Sequence, residues 1–231
     1  MIALLWEILN MWPLLKIRND SLNCIFTPRK LILSYTSQHA TNNNIVLHAY
    51  EEISCAQAEL ESIILCNSSS IKKTIEQFIQ KNNISDETPL NFALCGPTIQ
   101  EKITNKKNLI DSSLYKTYLY ALAGKKFYYT VSISPALIMQ YQLLAMALKQ
   151  PISLITTPFI AQCNLYKFSK KNSFSSTQLA QDLRKNNHHI EHSFNDDYLV
   201  DLFYHNRSMT INYQDDKSFL LTIAGLFYHE R

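Results

Sequence analysis

The sequence predicts a mixed α/β fold, and the clearest indication lies in its middle third. Apolar residues alternate with a period of two over residues 127–133, the pattern of a strand with one apolar face. A helical repeat over residues 136–149 and a short apolar run over residues 152–156 follow it. Because two strands joined by one helix are usually parallel, we expect these two strands to be parallel with a right-handed crossover.

Two pairs of residues predict where the helices of this region begin. Ser134 can cap a helix whose first turn accepts Pro135, and Thr157 with Pro158 repeats the arrangement for a second helix. Pro151 is expected to end the first helix. Its apolar stripe consists of Leu137, Tyr141, Leu144 and Leu148.

The preceding part of the chain predicts further strands and one helix. Apolar runs at residues 30–35 and 45–50 predict a hairpin, and a third strand is expected at residues 60–66. A helix starting near Asn67 and ending near Asn83 leads to a strand at residues 90–95. Residues 97–114 are polar, and a second hairpin is expected from residues 115–122, a turn at residues 123–125 and the strand from Phe127.

The strand–helix–strand–helix segment resembles a known family. FYYTVSISPALIMQYQLLAMALKQPISLITTPFIAQCNLYKF is similar to the corresponding segment of the type IV pilus assembly protein PilM family, and FLLTIAGLF resembles the apolar segment that closes those chains. The resemblance implies an actin-like (ribonuclease H-like) first domain with a small inserted subdomain and a truncated second lobe.

The domain organisation follows from the resemblance and the pattern together. We expect an apolar leader at residues 1–20, the first part of the actin-like subdomain at 21–96, the inserted subdomain at 97–157, and a return helix with a reduced second lobe at 158–231. In the last part the pattern predicts a helix at residues 198–203 capped by Asp196 or Asp197, a strand at 210–213 and a closing helix. Leu179, Leu183, Ile190 and Phe194 can share one helix face.

The leader allows several interpretations. MWPLLKIRND, which begins at Met11, resembles the short apolar-then-basic opening of many PilM-family chains. A helix packed on the domain and an over-extended gene start are both compatible with it, as is an anchor at the membrane surface. Glu7 and Pro13 interrupt the apolar run, which is therefore poor for a signal peptide or a membrane span.

Composition excludes some classes of function. The net charge of +3 for 231 residues is too small to indicate nucleic-acid binding. Five cysteines without a CxxC pair are expected to be mostly buried free thiols of a reducing compartment.

Glycine content argues against an enzyme. Actin-like ATPases hold phosphate in two glycine-bearing hairpins, because only glycine lets backbone N–H groups close on phosphate oxygens. The first candidate hairpin, SLNCIFTPRKLILSY, contains no glycine, aspartate or glutamate, and the whole chain has three glycines. Walker-type, GxSxG and HExxH motifs are also missing. We therefore expect no catalytic residue and no cofactor.

Two residue groups are candidates for contact with other molecules. The tyrosines of the second hairpin, Tyr115, Tyr118, Tyr120 and Tyr128, are candidate partner-binding residues, although with Tyr129 about half are expected to pack internally. His188 and His192 have the spacing of a metal pair on a helix, but without a third ligand we expect a solvated helix end and no metal.

The resemblance implies a function in binding. Members of the family sit on the cytoplasmic side of the inner membrane and capture the short tail of a bitopic partner, PilN, in a groove of the first domain. We therefore expect a non-catalytic cytoplasmic scaffold of a pilus or DNA-uptake machine, peripheral to the inner membrane through its complex. An adaptor or structural subunit of a secretion system is the alternative, and an actin-like ATPase is a weaker one.

Overall fold

The computed structural model describes most of the chain after the leader. The described residues are 20–39, 44–104, 116–122, 127–169, 181, 190–194, 196–205 and 216–228. The predictions for the leader, for the turn at residues 123–125, for Leu179 and Leu183, and for the strand at 210–213 lie outside them.

The described residues form eleven strands and five α-helices. The strands are β1 (Asp20–Phe26), β2 (Lys30–Gln38), β3 (Ile45–Ser54), β4 (Leu60–Glu61), β5 (Ile64–Leu65), β6 (Leu90–Leu94), β7 (Gln100–Thr104), β8 (Lys116–Leu122), β9 (Phe127–Ile133), β10 (Ile152–Thr156) and β11 (Phe203–His205). The helices are α1 (Ser68–Lys81), α2 (Pro135–Leu148), α3 (Pro158–Ser169), α4 (Asp196–Leu202) and α5 (Lys217–Phe227), and Ile190–Ser193 forms a 3₁₀ turn.

A six-stranded mixed sheet forms the centre of the fold. Its strand order is β10-β6-β1-β2-β3-β11. Strand β2 is antiparallel to β1 and β3, whereas β1, β6 and β10 are parallel. This architecture confirms the predicted α/β, actin-like (ribonuclease H-like) class, and the predicted β2–β3 hairpin is also confirmed.

A separate three-stranded antiparallel sheet has the order β7-β9-β8. The predicted pairing of β8 with β9 is confirmed. Strand β7 lies in the polar segment and was not predicted, because QEKIT carries a single large apolar residue, Ile103. Its pairing with β9, which places Glu101 opposite Val131, stabilises a sequence with little strand character of its own.

The expected parallel pairing of the strands on either side of α2 is wrong. Strand β9 belongs to the small sheet, whereas β10 pairs with β6 in the large sheet, Ile155 lying opposite Phe92. Helix α2 therefore connects two different sheets. The crossover rule applies to strands of the same sheet and does not govern this connection.

The expected third strand at residues 60–66 is also wrong. This segment contains the short strands β4 and β5, which pair antiparallel around Ser62 and Ile63, both at positive φ. The third long strand beside β2 and β3 is β1, which begins at Asp20, the last residue of the expected leader.

The helix ends agree only in part with the predicted caps. Asn67 Oδ1 accepts a hydrogen bond of 3.1 Å from the Ser70 amide, as expected of an N-cap. Ser134 makes no such bond, so Pro135 alone marks the start of α2, and the helix ends at Lys149 in a left-handed conformation, before Pro151. Helix α4 begins at Asp196, so Asp196 and Asp197 lie in its first turn.

The apolar stripe of α2 packs on the large sheet. Tyr141 is fully buried, its ring lies 4.8 Å from that of Phe26, and its hydroxyl donates to the Ile63 carbonyl at 2.6 Å. Of the five cysteines, which are all free, Cys24 and Cys163 are buried, Cys55 is half-buried, and Cys66 and Cys95 are exposed. Burial raises the pKa of Cys163 to about 12.

A buried polar network joins the three central strands β1, β2 and β6. Asn23 is fully buried, and its amide donates to Ser34 Oγ at 3.3 Å and to Thr36 Oγ1 at 3.1 Å. Its carbonyl oxygen accepts from Ser21 Oγ and, at 2.9 Å, from the amide of Asn91. Asn23 is therefore the centre of the network, whereas Asn91 lies at its edge and its own Oδ1 has no partner.

We expect Asn23→Ala to lower the free energy of unfolding by about 3 kcal/mol, because it leaves several buried polar groups without partners. Asn91→Ala removes one bond together with an unpartnered oxygen and should cost only about 1 kcal/mol. Urea denaturation of both variants checks this difference. Equal costs at the two positions would contradict the central role of Asn23.

Helices α3 and α5 approach each other closely at Gly225. A Cβ atom added at Gly225 would lie 1.8 Å from the carbonyl oxygen of Ala161. The side-chain amide of Gln162 donates to Thr222 Oγ1 at 3.2 Å and to the Ser218 carbonyl at 3.1 Å, so the same pair of helices is also joined by polar contacts. The absence of a side chain at Gly225 permits this packing.

We expect Gly225→Ala to destabilise the protein by about 2 kcal/mol or more, because overpacking at the helix contact exceeds the gain of roughly 1 kcal/mol in helix propensity. Ala147→Gly, at an exposed position of α2, is the matched control and should cost about 1 kcal/mol. Thermal unfolding and denaturant titration measure the stability of both variants. A more stable Gly225→Ala variant would show that α5 is not confined by α3.

Candidate functional site

An apolar groove lies where the small sheet, α2 and the edge of the large sheet meet. Its volume is about 300 Å³. Seven of the ten described residues that line it are aliphatic. The lining consists of Leu94, Val131, Ile133, Ile138, Gln142, Ile152, Ile155, Thr156, Thr157 and Ile160. We call this feature the groove.

The groove lies at the carboxyl ends of two parallel strands. Leu94 is the last residue of β6 and Thr156 is the last residue of β10. Open α/β sheets commonly bind ligands at this end of their strands. The position of the groove therefore agrees with the usual location of a binding site in this class of fold.

Strand β10 forms both a wall of the groove and one edge of the large sheet. The strand order places β6 on one side of β10 and no described strand on the other. An edge strand of this kind presents backbone N–H and C=O groups that can pair with an added strand. Apolar side chains and strand-edge backbone groups thus occur together at the groove.

None of the described lining residues of the groove is charged. Val131, Ile133 and Leu94 are buried and form its floor, whereas Ile138 and Ile155 are half-buried at its rim. Gln142, Thr156 and Thr157 are the polar members of the lining. Such a surface can take up apolar side chains and hydrogen-bond a few polar groups.

Tyr129 connects the small sheet to the start of α3 beside the groove. Its hydroxyl donates to Glu101 Oε1 and lies 3.2 Å from Thr157 Oγ1. Its ring stacks on Phe159 with centroids 4.4 Å apart. Burial, together with the charge of Glu101, raises the pKa of Tyr129 well above its usual value, so the hydroxyl remains a donor.

The candidate tyrosines of the small sheet are only partly described. Tyr115 lies outside the described residues, and the backbones of Tyr118 and Tyr120 lie in β8, opposite Val131 and Tyr129. Tyr128 is half-buried in β9 and does not line the groove. Sequence reasoning missed Ile152, Ile155 and Ile160 as a surface, because it assigned the first two to a buried strand and the third to the helix that follows.

The turn between β1 and β2 occupies the position expected for a phosphate hairpin. It contains Thr27, Pro28 and Arg29, and the Thr27 amide donates to the Lys30 carbonyl at 2.9 Å. Pro28 has no backbone N–H to offer a phosphate, and none of the three turn residues is glycine. The described turn therefore lacks the features that close backbone amides around a phosphate.

A second apolar surface lies on the outer side of α2. Met139, Leu143 and Met146 follow helical spacing and are 58%, 56% and 72% exposed. A cleft of about 400 Å³ beside them separates α1 from α2. The signal for this surface was present in the sequence, since α2 has no charged residue in its fourteen positions.

Among the described residues, no helix has the length and apolarity needed to cross a bilayer. They contain no group of three or more metal-ligating side chains, and His188 of the predicted pair lies outside them.

Comparisons with known proteins give likenesses in structure alone. No family model matches the sequence, and no curated protein matches it. A structure described as a PilM–PilN type IV pilus biogenesis complex matches 65% of this chain and 51% of its own, with 8% identity and a TM-score of 0.50. The chain thus spans about half the length of that protein.

Two further solved structures resemble this chain less well. The cytoplasmic domain of EpsL, an inner-membrane component of the type II secretion system of Vibrio cholerae, has 7% identity, covers 62% of this chain and 57% of its own, and has a TM-score of 0.41. A Bacteroides thetaiotaomicron protein with an actin-like ATPase fold and unknown function has 9% identity and a TM-score of 0.35. The match covers 68% of this chain and 60% of that protein. What this chain shares with the PilM–PilN structure is its fold.

Proposed function

We propose that this protein is a non-catalytic scaffold that binds the cytoplasmic tail of a bitopic inner-membrane protein in a type IV pilus, DNA-uptake or related secretion machine. The observation that carries the proposal is the apolar groove beside β10, the strand that ends the large sheet among the described strands. The proposed location is the cytoplasm, peripheral to the inner membrane through the partner. No nucleotide, metal or nucleic acid is required.

An extended peptide fits the geometry of the groove. A peptide strand that adds to β10 gains main-chain hydrogen bonds, and alternate side chains point to one side, where the groove can receive them. Strand β10 has five residues, so the paired segment would be roughly 17 Å long at 3.3 Å per residue. Short tails of membrane proteins can supply such a segment.

Two other observations support a role in assembly. The fold is shared with a protein solved in a pilus biogenesis complex with its partner PilN. The exposed apolar face of α2 provides a second surface of the kind that marks protein–protein contact. A scaffold that holds more than one component would use both surfaces.

We expect Ile138→Arg to weaken binding of the partner tail at least tenfold, because a charge at the rim would have to be desolvated when the peptide enters. Val200→Arg, which places the same side chain at an exposed position of α4, is the control and should bind normally. Calorimetry with synthetic cytoplasmic tails of bitopic proteins encoded beside this one measures both affinities. Unchanged binding by a folded Ile138→Arg variant would exclude the groove.

We also expect ATP with Mg²⁺ to leave the melting temperature unchanged, since Pro28 occupies the turn where a phosphate would bind. The bound tail peptide should raise the melting temperature in the same assay, as any ligand of the native state does. A reproducible shift with ATP that saturates with concentration would contradict the nucleotide-free proposal.

A further inference from the structure

The small sheet places two charged residues opposite lining residues of the groove, Glu101 opposite Val131 and Lys116 opposite Ile133. In the β7–β9 ladder Glu101 lies directly opposite Val131, which is part of the groove floor. Directly opposed residues of antiparallel strands share one face of the sheet. Lys102, the next residue, lies opposite Thr130 and belongs to the other face.

A chain of two contacts joins Glu101 to the groove. Tyr129 donates to Oε1 of Glu101, and the same hydroxyl lies 3.2 Å from Oγ1 of Thr157, a lining residue. Glu101 is itself exposed, so its carboxylate remains accessible from solvent. Burial raises the pKa of Cys95, and the negative charge of Glu101 raises it further. Cys95 directly follows the lining residue Leu94.

The described lining of the groove is uncharged, and the Tyr129 hydroxyl holds one carboxylate at its Thr157 end. An apolar segment meets no charge along this described lining, whereas an acidic side chain at the Thr157 end would face Glu101. A lysine or arginine placed there would instead pair with it. Tyr129 acts as a positioning residue, since its hydroxyl and its stacked ring hold the carboxylate beside the groove.

We propose that the groove selects a peptide with an uncharged apolar stretch followed or preceded by one lysine or arginine, and that Glu101 is the residue that recognises this basic side chain. The inference rests on the proposed function, because it concerns the same groove. It adds the charge and position of the residue that determines which tails bind.

A phage-displayed library of random 12-residue peptides tests the inference. Selection on the wild-type protein should enrich apolar stretches with an adjacent lysine or arginine. Selection on Glu101→Lys should enrich the same apolar stretches with aspartate or glutamate instead. Asp86→Lys, which makes the same charge change in an exposed turn before β6, should give the wild-type pattern.

The affinity of one selected peptide gives a second measurement. Replacing its basic residue by alanine should weaken binding to the wild type roughly threefold, as expected for a partly exposed ion pair. The same replacement should have no effect with Glu101→Gln, which keeps an oxygen for Tyr129 and removes the charge. The difference in affinity between the two peptides for the wild type should become smaller at high salt.

The outcomes separate this inference from the proposed function. If the wild type enriches no peptide family, the proposed function fails and the inference with it. If wild type and Glu101→Lys enrich the same apolar peptides without a change in flanking charge, the groove binds peptide but Glu101 does not recognise it. If Glu101→Lys does not fold, the Glu101→Gln comparison decides the question alone.

Discussion

The groove depends on the contact that Tyr129 makes across two parts of the fold. Strand β9 belongs to the small sheet, whereas Thr157 and Phe159 belong to the turn and helix that follow β10. A buried hydroxyl 3.2 Å from Thr157 Oγ1 and a ring stacked on Phe159 fix the distance between them. Because Tyr129 and Thr157 are both buried, separating the two parts would break a contact between buried polar groups, which costs more than the contact contributes. The width of the groove is therefore set by a contact that resists opening.

The large sheet is specified by a different kind of constraint. Asn23 is buried where an aliphatic residue would give equal or greater apolar burial, and its hydrogen bonds reach both β2 and β6. A shift of either neighbouring strand by one residue would break these bonds and reverse the faces of its side chains. Gly225 acts similarly between helices, since only a residue without Cβ allows α5 to approach Ala161. These residues fix the register and spacing of a sheet whose edge strand β10 then presents the groove.

Local patterns in the sequence predicted most elements but not how the strands combine. The alternation at Val131 and Ile133 and the proline at Pro135 identified β9 and α2, because these signals depend on neighbours along the chain. Local patterns could not identify the strand that pairs with β10. Ile155 lies opposite Phe92 of β6, some sixty residues away. The apolar run that contains Ile155 would look the same whether it paired with β6 or with β9. Strand β7 was missed for a related reason, since its stability comes from pairing with β9.

The candidate tyrosines were chosen for their residue type, whereas the groove is lined by aliphatic residues that resemble ordinary core residues until the topology brings them to one edge.

The same topology explains how a fold of this class can bind a polypeptide without binding a nucleotide. The carboxyl ends of β6 and β10 offer a cleft whatever the turns around it contain, because the cleft arises from the end of one sheet meeting another. Binding phosphate at such an end requires backbone amides that converge, and Pro28 removes one where the first turn would supply it. Adding an extended peptide requires a strand edge with apolar side chains beside it, and β10 ends the described part of the large sheet next to Ile138 and Ile160. A substitution in the turn between β1 and β2 thus need not alter the edge of β10, so phosphate binding and strand addition are physically separable in a fold of this class.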